Sequence, residues 1–279
     1  MIVNRTKDIL SKYNLYAKKK YGQNFLINPQ VLNKIIDNST LNKEKGVIEI
    51  GPGIGTLTEM LALNSKKVLC YEIDKDLIEV LKETLSEHKN IILINNDFLK
   101  VDLQEDIKKY FSDCSDIVVV ANLPYYITTP IIFKLLQEES IKKIIIMVQK
   151  EVGLRLTGKP NTKDYNALSV LMAYKTKSRI FANVSRNSFL PAPNVDSVLL
   201  DIEVVKNDYK VNNEDNFLEF VQVTFMQRRK TLINNISAYY SIEKEDLMKL
   251  IESLGYDKDI RAESLTVEEI VNLYKRLFE

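Results

Sequence analysis

Short apolar runs recur along the first two thirds of the chain, and segments with apolar residues spaced three and four positions apart lie between them. Runs rich in Val and Ile predict strands buried on both faces, whereas the wider spacing predicts amphipathic helices. Strands alternating with helices form βαβ units, so the pattern indicates an α/β fold with a mostly parallel sheet. Seven strands are predicted, at residues 47–50, 67–72, 91–94, 117–122, 144–148, 179–184 and 197–205.

The predicted helices are marked by their first residues. Asn28-Pro29 and Thr129-Pro130 each place a capping side chain before a proline, and Thr266 with Glu269 forms a capping box. Beyond residue 205 the chain becomes polar and then entirely helical in pattern. We therefore predict two domains: residues 1–205 with the sheet, and a small all-helical domain at residues 206–279. Further helices are predicted at residues 3–16 (weakly), 56–63, 74–85 and 167–174.

The composition narrows the possible chemistry. The 279 residues include two cysteines, Cys70 and Cys114, and one histidine, His88, none with metal-ligand spacing. This argues against a zinc site, a disulfide framework and a histidine-dependent nucleophile, so we expect no metal. No apolar run approaches the length of a membrane span and no signal peptide is recognisable, so we expect a cytoplasmic protein without a membrane partner.

Positive charge is concentrated in two places although the net charge is only +1. Residues 1–21 carry six basic side chains and one acidic one, a net charge of +5, and include the run Lys18, Lys19 and Lys20. Residues 206–279 are net acidic, with 11 basic and 14 acidic side chains, yet contain the triplet Arg228, Arg229 and Lys230. Local basic clusters suit RNA phosphates, the alternative being solvated surface.

A glycine-rich turn follows the first sheet strand. Gly51 and Gly53 permit close backbone approach to a ligand, and Glu72, 21 residues after Gly51, ends the next strand, where an acid accepts hydrogen bonds from ribose hydroxyls. A dinucleotide fingerprint requires a third glycine where this chain has Thr56. The turn therefore favours S-adenosylmethionine, with a ligand-free turn as the alternative. Asp97, after the third strand, is a candidate acceptor for the cofactor's adenine amine or a simple turn cap.

The stretch from Asn122 through Leu123 and Pro124 to Tyr125 ends the fourth strand. Open α/β sheets bind ligands at the carboxyl ends of their strands. An amide orients an exocyclic amine, proline stiffens the backbone, and a tyrosine ring stacks on a base. These residues therefore indicate an adenine site, although Tyr125 and the later Phe189 also fit ordinary core aromatics.

Five ordered motifs span nearly the whole sequence. In one-letter code they are GQNFL at 22–26, EIGPGIG at 49–55, NLPY at 122–125, FLPAPNVDS at 189–197 and RRKTLINN at 228–235. With these motifs the chain resembles the small-subunit ribosomal RNA adenine dimethyltransferases (the KsgA type), without departures at the motif positions.

The resemblance implies a class I methyltransferase with a Rossmann-like, seven-stranded sheet and a helical RNA-docking domain. It would use S-adenosylmethionine, leaving S-adenosylhomocysteine, to dimethylate N6 of two adjacent adenosines near the 3′ end of 16S rRNA during late biogenesis of the small (30S) subunit. We expect a monomer, since no coiled-coil seam is present. The cofactor residues implied are Asn24, Leu26, Gly51, Gly53, Glu72, Asp97 and Asn122; the catalytic ones are Asn122, Leu123, Pro124, Tyr125 and Phe189.

Three alternatives share part of this pattern. A large-subunit (23S) rRNA adenine methyltransferase has similar first and third motifs, but the chain length and the basic triplet favour the small-subunit enzyme. An assembly or transcription factor could retain the fold without the chemistry, which the intact residues 122–125 argue against. A small-molecule methyltransferase would have little use for two basic clusters and a set of C-terminal helices.

Overall fold

The computed structural model describes residues 2–13, 18, 21–123, 127–205 and 209–279, with the side chains of residues 2 and 3 left out. The strands are β1 Phe25–Leu26, β2 Gly46–Ile50, β3 Lys67–Glu72, β4 Ile91–Asn95, β5 Ile117–Asn122, β6 Ile141–Gln149, β7 Thr176–Val184, β8 Phe189–Leu190 and β9 Ser197–Val204. The helices are α1 Ile2–Lys12, α2 Pro29–Ser39, α3 Thr56–Asn64, α4 Lys75–Thr84, α5 Leu103–Tyr110, α6 Thr128–Leu135, α7 Lys150–Leu156, α8 Ala167–Lys175, α9 Glu214–Thr224, α10 Leu232–Tyr240, α11 Lys244–Ser253 and α12 Val267–Phe278.

Within the described residues, seven strands form one sheet in the order β4-β3-β2-β5-β6-β9-β7. The pairs that join β4, β3, β2, β5 and β6 are all parallel, and β9 runs antiparallel to β6. The central strand β2 is buried along its whole length, as expected for a strand covered by helices on both faces. The predicted α/β fold is confirmed, with all seven predicted strands present.

The sheet register brings the carboxyl ends of four strands to one side of the sheet. Glu72 of β3 pairs with Asn95 of β4, and Ile50 of β2 lies opposite both Tyr71 of β3 and Ala121 of β5. Parallel strands share one direction, so the residues that follow each of these positions leave the sheet on the same side. The segments after β2, β3, β4 and β5 therefore form one rim.

Two very short strands were absent from the sequence-based prediction. Phe25 and Leu26 form β1, which pairs antiparallel with β8, Leu26 lying opposite Phe189. Two residues are too few for a periodic pattern, so the sequence alone could not reveal this pairing. It fixes the backbone of the segment that precedes α2 beside the sheet.

The contacts divide the chain into two compact units. One comprises residues 1–153 and 179–204, and the other comprises residues 154–178 and 205–279. The chain passes from one unit to the other between residues 204 and 205, and residues 154–178 group with the C-terminal helices. The division into a domain of residues 1–205 and one of residues 206–279 stays a prediction. Of the predicted polar linker, residues 206–208 lie outside the described residues.

The C-terminal unit has a core of its own built around aromatic rings. Phe217 and Phe220 of α9 are fully buried, with ring centroids 5.4 and 5.6 Å from that of Tyr274 of α12. Tyr174 of α8 lies 4.7 Å from Phe217, which explains why α8 groups with the C-terminal helices. The predicted capping box of α12 is present, Thr266 accepting from the amide of Glu269.

Candidate active site

The turn between β2 and α3 is shaped by three glycines. Gly51, Gly53 and Gly55 have φ angles of +71°, +61° and +85°, which strain any residue with a Cβ atom. The amide of Gly51 donates to the carbonyl of Tyr71 at 2.9 Å, which ties the turn to β3. A Cβ atom at Gly53 would lie 3.2 Å from the ring of Phe25, so a larger residue would crowd the wall of the pocket.

Glu72, at the end of β3, faces this turn and is 5% exposed. One carboxylate oxygen accepts from the amide of Asp74 at 2.8 Å and the other from the amide of Gly53 at 3.3 Å. Burial raises the pKa of Glu72 to about 7, against the opposing effect of these hydrogen bonds. The structure thus joins the predicted ribose-binding acid to the predicted glycine turn.

Glu49 is a second buried acid that the sequence-based prediction of individual site residues missed. It lies within β2, is 1% exposed, and its carboxylate is 3.6 Å from the sulfur of Cys70. Burial raises the pKa of Glu49 to about 7, and the nearby charge of Glu72 adds to the shift. The signal available in the sequence was an acid inside an otherwise apolar strand, a residue type that is rarely buried without a reason.

Asp97 forms the wall after β4. Its side chain accepts from the amide of Leu99 at 3.0 Å and so caps the short helical turn at residues 98–100. The next residue, Phe98, is buried with its ring 5.3 Å from that of Tyr71. Asp97 therefore caps this turn and also lines the cavity, while its acceptance from an adenine amine stays a prediction.

Asn122 ends β5 and contacts the segment that precedes β1. Its amide nitrogen donates to the backbone carbonyl of Asn24 at 3.2 Å, while the side chain of Asn24 donates to the carbonyl of Gly22 at 3.0 Å. Leu123 is buried, and its amide donates to the carbonyl of Met147. The two further predicted catalytic residues of this stretch, Pro124 and Tyr125, lie outside the described residues.

The sequence allowed two settings for Phe189, contact with a target base or ordinary core packing. It is 3% exposed and packs with Leu26, Leu32 and other apolar residues in the core beside the sheet, and it does not line the cavity. Its backbone pairs with Leu26 through β1 and β8. The structure gives Phe189 a packing role, and contact with a target base stays a prediction.

The predicted cofactor residues line one cavity that is partly open to solvent. Its described walls contain three carboxylates, from Glu49, Glu72 and Asp97, and no lysine or arginine. Such walls suit a cationic sulfonium and disfavour the pyrophosphate of a dinucleotide. The predicted residues present are Asn24, Leu26, Gly51, Gly53, Glu72, Asp97, Asn122 and Leu123.

Three of the four N-terminal basic residues that the structure describes form ion pairs within the protein. Lys18 is 32% exposed, and its ammonium lies 2.7 Å from Asp74 and 2.6 Å from Asp76. Elsewhere in the segment, Arg5 pairs with Glu59, and Lys12 pairs with Glu83 at 2.7 Å. Lys19 and Lys20 lie outside the described residues.

The C-terminal basic triplet has another setting, in the loop between α9 and α10. The side chain of Arg228 donates to Glu263 at 2.9 Å, while Arg229 and Lys230 are exposed. The loop is held from below by buried Asn235, whose amide donates to the carbonyl of Thr224 at 2.8 Å. This loop therefore presents two cations on a fixed backbone.

Among the residues that the structure describes, no His, Cys, Asp and Glu side chains come together in a group of three or more that would hold a metal ion. Among the described helices, none combines the length and the hydropathy required to traverse a bilayer.

A seven-stranded sheet with one antiparallel strand, a glycine turn after the central strand and an acid ending the next one define a class I methyltransferase. Residues 14–279 match the family described as "Ribosomal RNA adenine dimethylase". The chain belongs to this family, whose members are adenine dimethyltransferases acting on ribosomal RNA.

Individual relatives extend this likeness over the whole chain. "Ribosomal RNA small subunit methyltransferase A" of Bacillus mycoides is 46% identical over 279 residues, covering 98% of this chain and 96% of the relative. The crystal structure of a dimethyladenosine transferase from Plasmodium falciparum superposes with a TM-score of 0.77 at 27% identity, covering 91% of this chain and 97% of that one. The 23S rRNA methyltransferase ErmE shares the fold, with a TM-score of 0.70 at 24% identity, covering 92% of this chain and 100% of that one.

Proposed function

We propose that this protein transfers methyl groups from S-adenosylmethionine to N6 of two adjacent adenosines near the 3′ end of 16S rRNA, within the small (30S) ribosomal subunit or its precursor. Asn122 carries this proposal, because its amide stands at the rim of an acidic cavity and is held there by the carbonyl of Asn24. The small-subunit substrate is supported by the 46% identity to relatives named for that activity. The reaction is linked to late subunit biogenesis.

The cavity residues divide between the parts of the cofactor. Glu72 accepts from ribose hydroxyls, Asp97 from the adenine amine, and Asn24 and Leu26 border the methionine end, while Gly51 and Gly53 leave the backbone open to it. When bound, S-adenosylmethionine supplies an electrophilic methyl group on a sulfonium sulfur and leaves as S-adenosylhomocysteine. The three wall carboxylates favour the positive sulfonium form over the neutral product.

Adenine N6 is a weak nucleophile because its lone pair is delocalised into the ring. The side-chain oxygen of Asn122 and the carbonyl of Leu123 accept the N6 hydrogens, which favours a more pyramidal nitrogen with its lone pair directed at the methyl carbon. The N6 proton becomes acidic only as the methyl group is transferred, so no histidine base is required. For the second methylation one N–H remains, and the pocket must accommodate a methyl group in place of the first.

The target adenosine has to leave its stack to reach Asn122. We expect Tyr125 and Phe189 to stack on it and offset the few kcal/mol that extrusion costs. Since the ring of Phe189 is packed in the core, this role requires it to present a face to the base when RNA binds. Pro124 is expected to stiffen the backbone between Leu123 and Tyr125.

RNA phosphates are expected at Arg228, Arg229 and Lys230, in a C-terminal unit that docks the monomeric enzyme on the subunit. Arg229 and Lys230 are the stronger candidates, since both are exposed and Arg228 is paired with Glu263. Lys18, Lys19 and Lys20 are predicted to contribute from the other unit. The ion pairs of Lys18 would have to open for it to reach a phosphate.

Transfer from labelled S-adenosylmethionine to unmethylated small subunits, unmethylated large subunits and naked rRNA tests this function. We expect label on small subunits, and weak or no label on naked rRNA because the substrate is a folded surface. Label confined to large subunits would identify a 23S enzyme instead. No label anywhere, with S-adenosylhomocysteine still bound, would favour an assembly factor without the chemistry.

A further inference from the structure

Asp74 lies just outside the cofactor cavity and connects two of its walls. Its side chain carries a carboxylate and yet is only 3% exposed. One carboxylate oxygen accepts from the ammonium of Lys18 at 2.7 Å and from the amide of Asp76 at 3.2 Å. The other oxygen accepts from the side-chain nitrogen of Gln23 at 2.8 Å.

These contacts form a closed ring, which we name the clasp: Lys18, Gln23 and Asp74. The backbone amide of Lys18 donates to the side-chain oxygen of Gln23 at 2.8 Å, so the amide of Gln23 is held at both ends. Two of the three donors to Asp74 come from a segment more than 50 residues earlier in the chain. The clasp therefore ties Lys18 and the segment around Gln23 to the start of α4.

The clasp is one residue away from the group that holds Asn122. Gln23 is followed by Asn24, whose carbonyl accepts from the side-chain nitrogen of Asn122 at 3.2 Å. Gly22, on the other side of Gln23, has a φ of +61° and its carbonyl accepts from the side chain of Asn24 at 3.0 Å. With so short a path, displacement of Gln23 moves the Asn24 carbonyl directly.

The orientation of the Asn122 amide decides what it presents to a base. With its nitrogen committed to the Asn24 carbonyl, its oxygen is the end available to accept from an exocyclic amine. If that carbonyl moved away, rotation of the amide by half a turn would present a donor to the N6 hydrogens instead. A donor there would repel the amine that has to be methylated.

We infer that Asp74 is a positioning residue for methyl transfer, holding through Gln23 the Asn24 carbonyl that orients the Asn122 amide. This inference rests on the proposed function. Asp74 also positions the opposite wall, because its backbone amide donates to Glu72 at 2.8 Å. One residue thereby sets the wall expected to bind ribose and the wall that faces the target amine.

The experiment exchanges the donor and acceptor of the central contact. Gln23→Glu retains the size of the side chain and its acceptor for Lys18 but replaces the donor to Asp74 with a carboxylate. Adding Asp74→Asn restores a donor and an acceptor with their positions exchanged. Glu83→Gln is the matched control, since it removes a carboxylate from the same helix that pairs with Lys12 and has no contact with Asn24.

We measure kcat on unmethylated small subunits at saturating S-adenosylmethionine, the Kd for S-adenosylhomocysteine, and the unfolding temperature. We expect Gln23→Glu to lower kcat about tenfold and to weaken the binding of S-adenosylhomocysteine, because a charge-assisted hydrogen bond is lost. The double variant should recover to within about threefold of the wild type, because the hydrogen bond is restored. Glu83→Gln should match the wild type in kcat and Kd.

Two results would overturn the inference while the wild type methylates small subunits. The first is an unchanged kcat in Gln23→Glu. The second is a double variant with a kcat equal to or lower than that of Gln23→Glu, because a purely structural role of each residue predicts no recovery. A wild type that leaves small subunits unmethylated would overturn the proposed function instead. In that case the S-adenosylhomocysteine affinities of the wild type and the three variants still test whether the clasp shapes the pocket. Equal affinities in all four proteins would contradict it.

Discussion

The two basic clusters look alike in the sequence and differ in the structure. In the N-terminal segment, Lys18 is held by two carboxylates of the start of α4, and Arg5 and Lys12 are each paired as well. In the C-terminal loop, Arg229 and Lys230 are exposed on a backbone held by Asn235. A cluster of cations in the sequence therefore indicates an RNA contact only if carboxylates elsewhere in the fold do not pair with it.

The two clusters should therefore affect different measurements. Lys18 is held by Asp74 beside the acidic cavity, so its loss should lower cofactor affinity. Arg229 and Lys230 are not among the cavity's described lining residues, so their loss should lower RNA affinity and its dependence on salt.

The largest loss of activity is expected from a substitution in the cavity itself, and the effects at the two basic clusters can be measured against it. Asn122→Ala should lower kcat by about 100- to 1000-fold, since it removes an acceptor that acts on the transition state. The Kd for S-adenosylhomocysteine should change by less than about threefold, because Glu72 and Asp97 remain. Near-normal turnover with intact cofactor binding would remove the amide from the mechanism.

The next effect is expected from the exposed pair in the C-terminal loop. Arg229→Ala with Lys230→Ala should weaken binding of small subunits about tenfold near 0.15 M salt and reduce the slope of log K against log salt by about 1.5. Binding titrations at several salt concentrations measure both values. The doubly substituted control Lys244→Ala with Lys258→Ala removes the same charge from other exposed positions of the unit; equal losses in both proteins would make the effect one of net charge.

The acid at the end of β3 predicts a pH dependence of similar or smaller size. The pKa of Glu72 in the folded protein is about 7, above its ordinary value, so the carboxyl group becomes protonated as the pH falls through 7. Ribose hydroxyls require the ionised form, so affinity for S-adenosylhomocysteine should fall by up to about tenfold between pH 8 and pH 6. Calorimetry across this range measures it. A constant affinity, or a tighter complex at pH 6, would contradict the assignment.

The raised pKa of Glu72 affects the stability of the unliganded fold in the opposite direction: stability falls as the pH rises, whereas cofactor affinity increases. The folded-state pKa of Glu72 lies above the unfolded value, so this group destabilises the unliganded fold once the pH rises above the unfolded pKa, and the effect is complete above about pH 7. Bound cofactor should reverse this part of the pH dependence.

The smallest effect is expected at the N-terminal cluster. Lys18→Ala should lower the affinity for S-adenosylhomocysteine about fivefold, because one charge-assisted contact to Asp74 is lost while that of Gln23 remains. The salt dependence of subunit binding should be unchanged. If the salt slope instead falls by about 1 with cofactor affinity intact, Lys18 binds a phosphate and the comparison between the clusters fails.

The sequence predicted the sheet and its rim because both follow from local patterns. Runs such as residues 117–121 identify strands, and Glu72, Asp97 and Asn122 each end or follow one, so their meeting at one edge follows from parallel topology. The glycine turn favoured S-adenosylmethionine and the residues after β5 indicated an adenine site, each with an alternative left open. The family resemblance added the reaction and its ribosomal RNA substrate.

What the sequence missed depends on contacts between distant residues. Glu49 lies in the middle of a buried strand, where its role is visible only with Cys70 and Glu72 beside it. The clasp joins Lys18 to Asp74 across 56 residues, and the grouping of residues 154–178 with the C-terminal helices depends on ring contacts such as that of Tyr174 with Phe217. None of these pairings leaves a periodic signal.

The most direct measurement locates the modified nucleotides in 16S rRNA after reaction with unmethylated small subunits and identifies them by mass. We expect N6,N6-dimethyladenosine at two adjacent positions near the 3′ end. Modification at other positions, of another base, or in 23S rRNA would contradict the proposed function.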